Sequence, residues 1–236
     1  PRGTQDVFGK EVRQWHKIEA LIKEMMNVYG FDEIRTPEFE HTEVFARGND
    51  SSDVINKEMY TFKDRGDRSL SLKPEGTAGL IRSFVENKLF TQPDMPFKYY
   101  YVSPCFRYER PQKGRMRIHH QFGVEVLGDK TPYIDAEVIG MGLTFVRTLG
   151  LNDLKVLVNT LGDNESRAAY KTALKEHFSS HLPDLCEDCQ RRYEQNPLRI
   201  LDCKVDANHP SLLEAPKLRD YLNDESREYF EKLIQI

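Results

Sequence analysis

No stretch of this 236-residue chain approaches the roughly 18 consecutive apolar residues that a membrane-spanning helix needs. Its start shows no signal-peptide pattern. Cysteine is scarce: four in all, too few at this length to suggest a disulfide framework. Excess positive charge is lacking as well. With 38 acidic against 34 basic side chains the net charge is −4, so any contact with nucleic acid has to come from a local basic patch. The glycine-rich phosphate loops of parallel nucleotide-binding sheets are missing, and so are internal repeats and low-complexity tracts. What remains is the composition of a globular, cytoplasmic protein, 39% hydrophobic and 31% charged. The length suits one large domain or one with a small appendage.

Read in order, Glu11 to Tyr29 predicts an amphipathic helix, with Val12, Trp15, Ile18, Ile22, Met25, Met26 and Tyr29 at helical spacing and Gly30 as the stop. Phe31 to Glu40 reads as a strand, and Pro37, which has no N–H to give a ladder, puts it at an edge or an interface. Met59 to Phe62 and Ser69 to Leu72 flank a Gly-containing turn at 64–67, a hairpin signal. A helix follows from about Ala78 to Asn87, then a strand over Phe97 to Val102, a helix over Thr131 to Leu149 and a buried strand over Leu154 to Leu161. The remainder, 163–236, is mainly helical. Strands joined by hairpins rather than crossovers predict an α+β fold, a mixed and mostly antiparallel sheet with helices packed on it.

The segment with the most chemistry is 104–125, PCFRYERPQKGRMRIHHQFGVE. From Arg107 to Arg117 five basic residues (Arg107, Arg110, Lys113, Arg115, Arg117) stand against one acidic, Glu109, and Lys113-Gly114 marks a turn. Two antiparallel strands carrying a cationic loop would suit a polyanion such as a nucleotide triphosphate or an RNA end. Gln121 and Glu125 sit four apart, on one face of the returning strand; Arg107 and Glu109 share a face of the outgoing one. Fixed polar groups of both signs on a sheet floor point to a binding site. Upstream, Glu75 and Thr77 lie at a strand-to-helix junction. There they either cap the helix or receive a cationic substrate group.

This hairpin resembles motif 2 of the class II aminoacyl-tRNA synthetases, in the version found in the histidyl-tRNA synthetase family. Further runs resemble that family in the same order: PRGTQD at the start, EIRTPEFE at 33–40, KEMYTF at 57–62 and LKPEGTA at 72–78. The resemblance implies activation of histidine by ATP with Mg²⁺, then transfer to the acceptor end of tRNA(His). It implies a homodimer built through the helix and strand of residues 11–40. It also assigns roles. Glu75, Gly76, Thr77, Arg107, Gln121 and Glu125 would hold histidine, with Glu75, Gln121 and Glu125 as acceptors for its ammonium and imidazole N–H groups. Arg107 would meet the α-phosphate as the catalytic residue, Arg115 the outer phosphates and Glu109 the adenine amino group. Arg110 and Lys113 would touch tRNA. His119 stands where the family usually has an aromatic residue, commonly Phe, stacked on adenine.

The chain has no counterpart of the family's later motifs or of its anticodon-binding domain, so the expectation is a truncated catalytic domain spanning 1–236. Cys186, Cys189, Cys203 and His209 could supply four zinc ligands, but the second pair fits common spacings poorly and free cysteine is often just a small buried residue, so no metal site is expected. His119 and His120 project to opposite strand faces and offer no metal site. Competing readings are a regulatory subunit of ATP phosphoribosyltransferase built on the same fold, a class II synthetase for another amino acid, and an RNA-binding module. The joint presence of Arg107, Glu109 and Arg115 argues against the first. Two acids aimed at one pocket argue against the others.

Overall fold

The apolar stripe expected after residue 10 forms helix α1 (Lys10–Tyr29), which ends where Gly30 takes a left-handed φ of 72°. Ile22 and Met26 on its inner face are buried and pack with Phe31, Tyr100 and Met141. Each such side chain contributes about 1.5–3 kcal/mol by leaving water. The computed structural model describes residues 1–46, 58–93 and 95–236. Within them the chain divides into two units, one of residues 1–130 and 138–150, the other of residues 131–137 and 151–236.

In the first unit the strand expected over 31–40 is instead two short strands. β1 (Asp32–Glu33) runs parallel to β5 (Phe97–Phe106), while β2 (Phe39–His41) pairs antiparallel with β4 (Ser69–Leu72). Pro37 lies between them, where a missing N–H breaks no ladder. Helix α2 (Thr42–Ala46) follows β2. β3 (Thr61–Lys63) completes the second sheet, in the order β2-β4-β3. Its hairpin turn is held by Asp64 rather than by a glycine conformation: Oδ1 accepts the N–H groups of Gly66 and Arg68, and Asp67 takes the positive φ of 62°. Lys57, the first residue of the 57–62 run, falls outside the described residues. Helix α3 (Thr77–Glu86) follows β4, and its Arg82 pairs with Glu40 of β2.

The central hairpin is as the sequence predicts. β5 and β6 (Ile118–Leu127) pair antiparallel over ten residues each, from Phe97 opposite Leu127 to Phe106 opposite Ile118. With β1 they form a sheet ordered β1-β5-β6. The α+β class therefore holds, with the strands divided between two three-stranded sheets instead of one. Helix α4 (Pro132–Thr148) follows, and its Val138 and Phe145 join the α1 core.

The strand expected over Leu154 to Leu161 does not form. Residues 151–163 carry no regular structure, and Leu157 and Leu161 are 81% and 62% exposed. An apolar run becomes a strand only by pairing, and here no described ladder takes it up. The second unit is otherwise helical: α5 (Asn164–Ser179), α6 (Glu187–Gln195), α7 (Pro210–Leu213) and α8 (Asp224–Gln235), joined by short 3₁₀ turns. Its core gathers Tyr170, Leu174, Phe178, Ile200 and Leu218. No described helix is long and apolar enough to cross a membrane.

Candidate active site

Strand alternation gives the β5–β6 hairpin two unlike faces. Val102, Phe122, Val124 and Val126 pack into the α1–α4 core. His120 lies on that side and meets Trp15 edge-on, with ring centroids 4.3 Å apart. The opposite face carries Tyr101 beside Gly123, Ser103 beside Gln121, Cys105 beside His119 and Tyr99 beside Glu125. The two histidines thus part to opposite faces.

The N-terminus of α3 closes over this second face. Glu75 caps it, accepting the N–H of Thr77 at 2.6 Å and of Ala78 at 2.9 Å. The Thr77 hydroxyl donates to Glu125 Oε1 at 2.6 Å, and Gly76 N–H donates to Gln121 Oε1 at 3.1 Å. Five of the residues predicted to hold histidine therefore meet at one point. The same contacts alter what Gln121 offers. Its oxygen accepts from Gly76 and also from the Cys105 thiol at 3.5 Å, so the amide group left for a ligand is a donor, NH₂, and not the expected acceptor.

Tyr101, which the sequence reading passed over, organises the floor. It is 5% exposed, and a Cβ placed on either Gly76 or Gly123 would overlap its ring. Its hydroxyl hydrogen-bonds with Thr77 and feels the charges of Glu125 and Glu75; burial foremost raises its pKa. Burial likewise raises the Glu125 carboxyl above its ordinary range. The Thr77 hydrogen bond works against this, and the nearby Glu75 charge adds to it. Two carboxylates held this close in a half-buried cleft favour a cationic ligand. Burial pushes the Cys105 thiol up to about 11, which leaves it protonated and a packing group rather than a nucleophile.

Beyond the strand ends lies the charged group. Arg107 and Glu109 are past β5, in the loop, rather than on the strand as expected. Arg107 Nε donates to the Pro74 carbonyl at 2.9 Å, which fixes the plane of the guanidinium beside the α3 cap. Glu109 faces two arginines, Arg115 Nε at 2.9 Å and Arg107 at 4.0 Å. Arg110 and Lys113 are exposed, and the turn Gln112–Arg115 closes with Gly114 at φ 77°. The loop base is braced by the chain start: Arg117 N–H donates to Gly3 O at 2.8 Å, and its guanidinium lies 3.9 Å over the Tyr108 ring. That gives the PRGTQD run a physical task which its sequence alone did not disclose. His119 is half-buried, and burial followed by the Arg107 charge lowers its pKa, against the pull of Glu109. At neutral pH its ring is therefore uncharged.

A cavity of about 430 Å³ lies elsewhere, lined by Glu19, Lys23, Glu38, Lys73 and His120 among others. It contains none of Glu75, Thr77, Gln121 or Glu125 and is not the candidate site. In the second unit Cys186, Cys189 and Cys203 do come together, but the fourth member of their group is Asp206. His209 instead turns its Nδ1 to the Ser211 hydroxyl at 2.8 Å and is not part of the group.

Comparison with known proteins gives a consistent picture. A profile of the family described as histidyl-tRNA synthetase matches residues 3–182. The histidine–tRNA ligase of Geobacillus sp. strain WCH70 is 55% identical over 234 residues, and that of Anoxybacillus flavithermus 54%. These matches cover 99% of this chain but 55% of each relative, so the chain spans about half the length of the curated relatives it matches. Apo histidyl-tRNA synthetase from S. aureus superposes with a TM-score of 0.78 at 41% identity, covering 100% of this chain and 53% of that one. A Bacillus halodurans protein described as an ATP phosphoribosyltransferase regulatory subunit/histidyl-tRNA synthetase shares the fold, with a TM-score of 0.67 at 22% identity over 100% of this chain and 63% of its own.

Proposed function

The chain belongs to the histidyl-tRNA synthetase family, and from that premise we propose that it is the part of a histidine–tRNA ligase that binds and activates histidine. In this reading histidine sits on the β5–β6 face under the α3 cap. Its ammonium and imidazole N–H groups are accepted by Glu75, Glu125 and the Thr77 hydroxyl, and its carboxylate meets the Gln121 NH₂ and Arg107. The observation that carries the reading is the Tyr101–Thr77–Glu125 chain of hydrogen-bonding groups, capped by Glu75 and set beside Arg107. A buried acid facing imidazole rejects substrates that lack its N–H, because the acid is then left unpaired.

In the first chemical step the histidine carboxylate attacks the α-phosphate of ATP and pyrophosphate leaves. No side chain needs to act as nucleophile; positioning and charge neutralisation carry the rate. Arg107, held by Pro74, is suited to the charge growing at the α-phosphate, since its planar fork presents two nitrogens to phosphate oxygens. Glu109 and Arg115, which pair with each other at 2.9 Å, would separate to meet the adenine amino group and the outer phosphates. His119, uncharged near neutrality, provides a flat face for adenine. Mg²⁺ would come with the phosphates: the only metal-ligating cluster among the described residues is thiol-rich, a set that Mg²⁺ disfavours. The second step passes histidine to tRNA(His), with the exposed Arg110 and Lys113 placed for its acceptor end. The whole of 1–236 then serves as a catalytic-domain fragment, with 163–236 its helical part. A homodimer through residues 11–40 is supported by the exposure of Val28 (79%) and Phe39 (52%).

The test is pyrophosphate exchange into ATP with each of the twenty amino acids on this chain, paired with calorimetry of histidine binding. Exchange or binding with histidine alone is the expected result. Arg107→Ala should abolish exchange and weaken, without abolishing, histidine binding. If histidine fails to bind the folded chain, the pocket assignment is wrong.

A further inference from the structure

We propose that Cys186, Cys189, Cys203 and Asp206 form a closed zinc site that staples the second unit together. It lies outside the unit that holds the candidate active site and stands independently of the function proposed above. The four side chains place their ligand atoms within 4.8 Å of one another, and three of the four residues are buried.

The distances match a tetrahedron around zinc. Zn–S bonds of about 2.3 Å at tetrahedral angles put neighbouring sulfurs about 3.8 Å apart, and a Zn–O bond of about 2.0 Å puts sulfur and oxygen about 3.5 Å apart. The Cys186 and Cys203 sulfurs are 3.7 Å apart, and Cys203 Sγ is 3.6 Å from Asp206 Oδ2. A disulfide needs about 2.05 Å, and all these cysteines are free.

Asp206 also repairs the spacing. With His209 as fourth ligand the second half has no regular pattern, whereas Cys203-x-x-Asp206 repeats the interval of Cys186-x-x-Cys189. The two halves share a backbone device. Asp206 N–H donates to Cys203 Sγ at 3.4 Å, and Cys189 N–H is directed at Cys186 Sγ in the same way. Such N–H bonds stabilise a metal-bound thiolate and orient it. Cys186 is the N-cap of α6, where the helix end further favours negative charge on sulfur.

Asp206 is the strongest clue. It is 9% exposed, and its partners are the Cys186 N–H at 3.1 Å and thiols, with no lysine or arginine among them. A buried carboxylate without a countercharge is costly, and a divalent cation that displaces the thiol protons supplies one. Sulfur-rich ligands exclude Mg²⁺ and Ca²⁺, and four protein ligands leave no open position, so the centre is structural rather than catalytic. It joins the start of α6 to the turn after the 3₁₀ segment Pro197–Ile200, beside Leu174, Phe178 and Ile200 in the core.

The experiment uses the full 236-residue chain under reducing conditions. About one zinc per chain should be found by mass spectrometry of the metal. After chelation, Co²⁺ should restore thiolate-to-metal charge transfer in the near ultraviolet and the intense visible bands of a tetrahedral site. Cys189→Ser and Asp206→Ala should each weaken Co²⁺ binding by about tenfold or more, while His209→Ala leaves it unchanged. Circular dichroism reports whether each variant folds. If Cys189→Ser does not, the parent chain and Asp206→Ala decide. A folded, reduced parent chain that takes up neither metal would overturn the proposal. So would a Cys186–Cys189 disulfide in protein isolated without oxidant, or metal loss in His209→Ala with retention in Asp206→Ala.

Discussion

Tyr101 and Gly123 face each other across the β5–β6 ladder, and the space between them is set by the absence of one methyl group. Gly123→Ala would push the Tyr101 ring off the floor and carry its hydroxyl away from Thr77, an overpacking cost of about 1–3 kcal/mol. We expect histidine affinity to fall at least tenfold with the circular dichroism spectrum unchanged; calorimetry showing unaltered affinity would contradict the role given to Tyr101. Glu125 allows a pH test. Because burial raises its pKa, it takes up a proton at a higher pH than an ordinary glutamate, so acidification removes an acceptor from the pocket early. Its contribution to stability has the opposite sense, being present below the ordinary glutamate value and lost as pH rises through the raised one. Histidine binding should therefore weaken on acidification at a higher pH than an ordinary glutamate would dictate, without any loss of stability traceable to this group. In Glu125→Gln, which binds more weakly, this part of the pH dependence should be gone, a comparison that calorimetry and thermal melts at each pH can make. Of these residues Glu75, Thr77, Gln121 and Glu125 were legible in the sequence, since strand alternation and helix-start chemistry are local. Tyr101 was not: within a run of three tyrosines nothing local says which ring will lie against a glycine 22 positions later.

At the scale of elements, the same locality explains what could be read. Helix α1, the central hairpin and the Asp64 turn are each marked by signals within their own segments, although α1 buries its inner face against residues as distant as Tyr100 and Met141. The expected strand over Leu154 to Leu161 rested on composition alone and does not form, since no described strand pairs with it, and Pro37 divided another strand between two sheets. Cap residues form a further link that sequence does not show. Asn223 caps α8 by accepting Ser226 N–H at 2.9 Å, and its amide donates at 2.7 Å to Asp163 Oδ2, whose other oxygen caps α5. Its own N–H reaches Ser166 Oγ at 3.0 Å. One side chain thus ties two helix starts together. Asn223→Ala should cost about 0.5–2 kcal/mol, the range of a lost cap. Asn223→Asp should restore only part of it, because the new carboxylate caps α8 but faces that of Asp163. Denaturant melts of the three proteins would show this order; a fully restored aspartate variant would mean that the link to Asp163 is immaterial.

At the scale of the whole molecule, the described residues form two cores, and a residue's membership is settled by its neighbours rather than by its position in the chain. The sequence reads as one fragment of 1–236 whose part from 163 onwards is mainly helical. In the structure the division between the units passes through α4, which lies in the second unit up to residue 137 and in the first from residue 138. A continuous apolar helix gives no local sign of such a division, because each turn simply packs where apolar surface is offered. The division makes a prediction about cooperativity. Leu174 is fully buried in the second core, and Leu174→Ala should cost about 2–5 kcal/mol through the lost burial and the cavity left behind. If the units unfold independently, amide protection should drop across α5, α6 and α8 and stay unchanged in β5 and β6, as followed by hydrogen exchange. Histidine affinity should then be preserved, because every residue assigned to the pocket belongs to the first unit. Equal loss of protection in β5 and β6 would instead show that the two cores fold as one cooperative body, and a fault among the helices would then reach the pocket through stability alone.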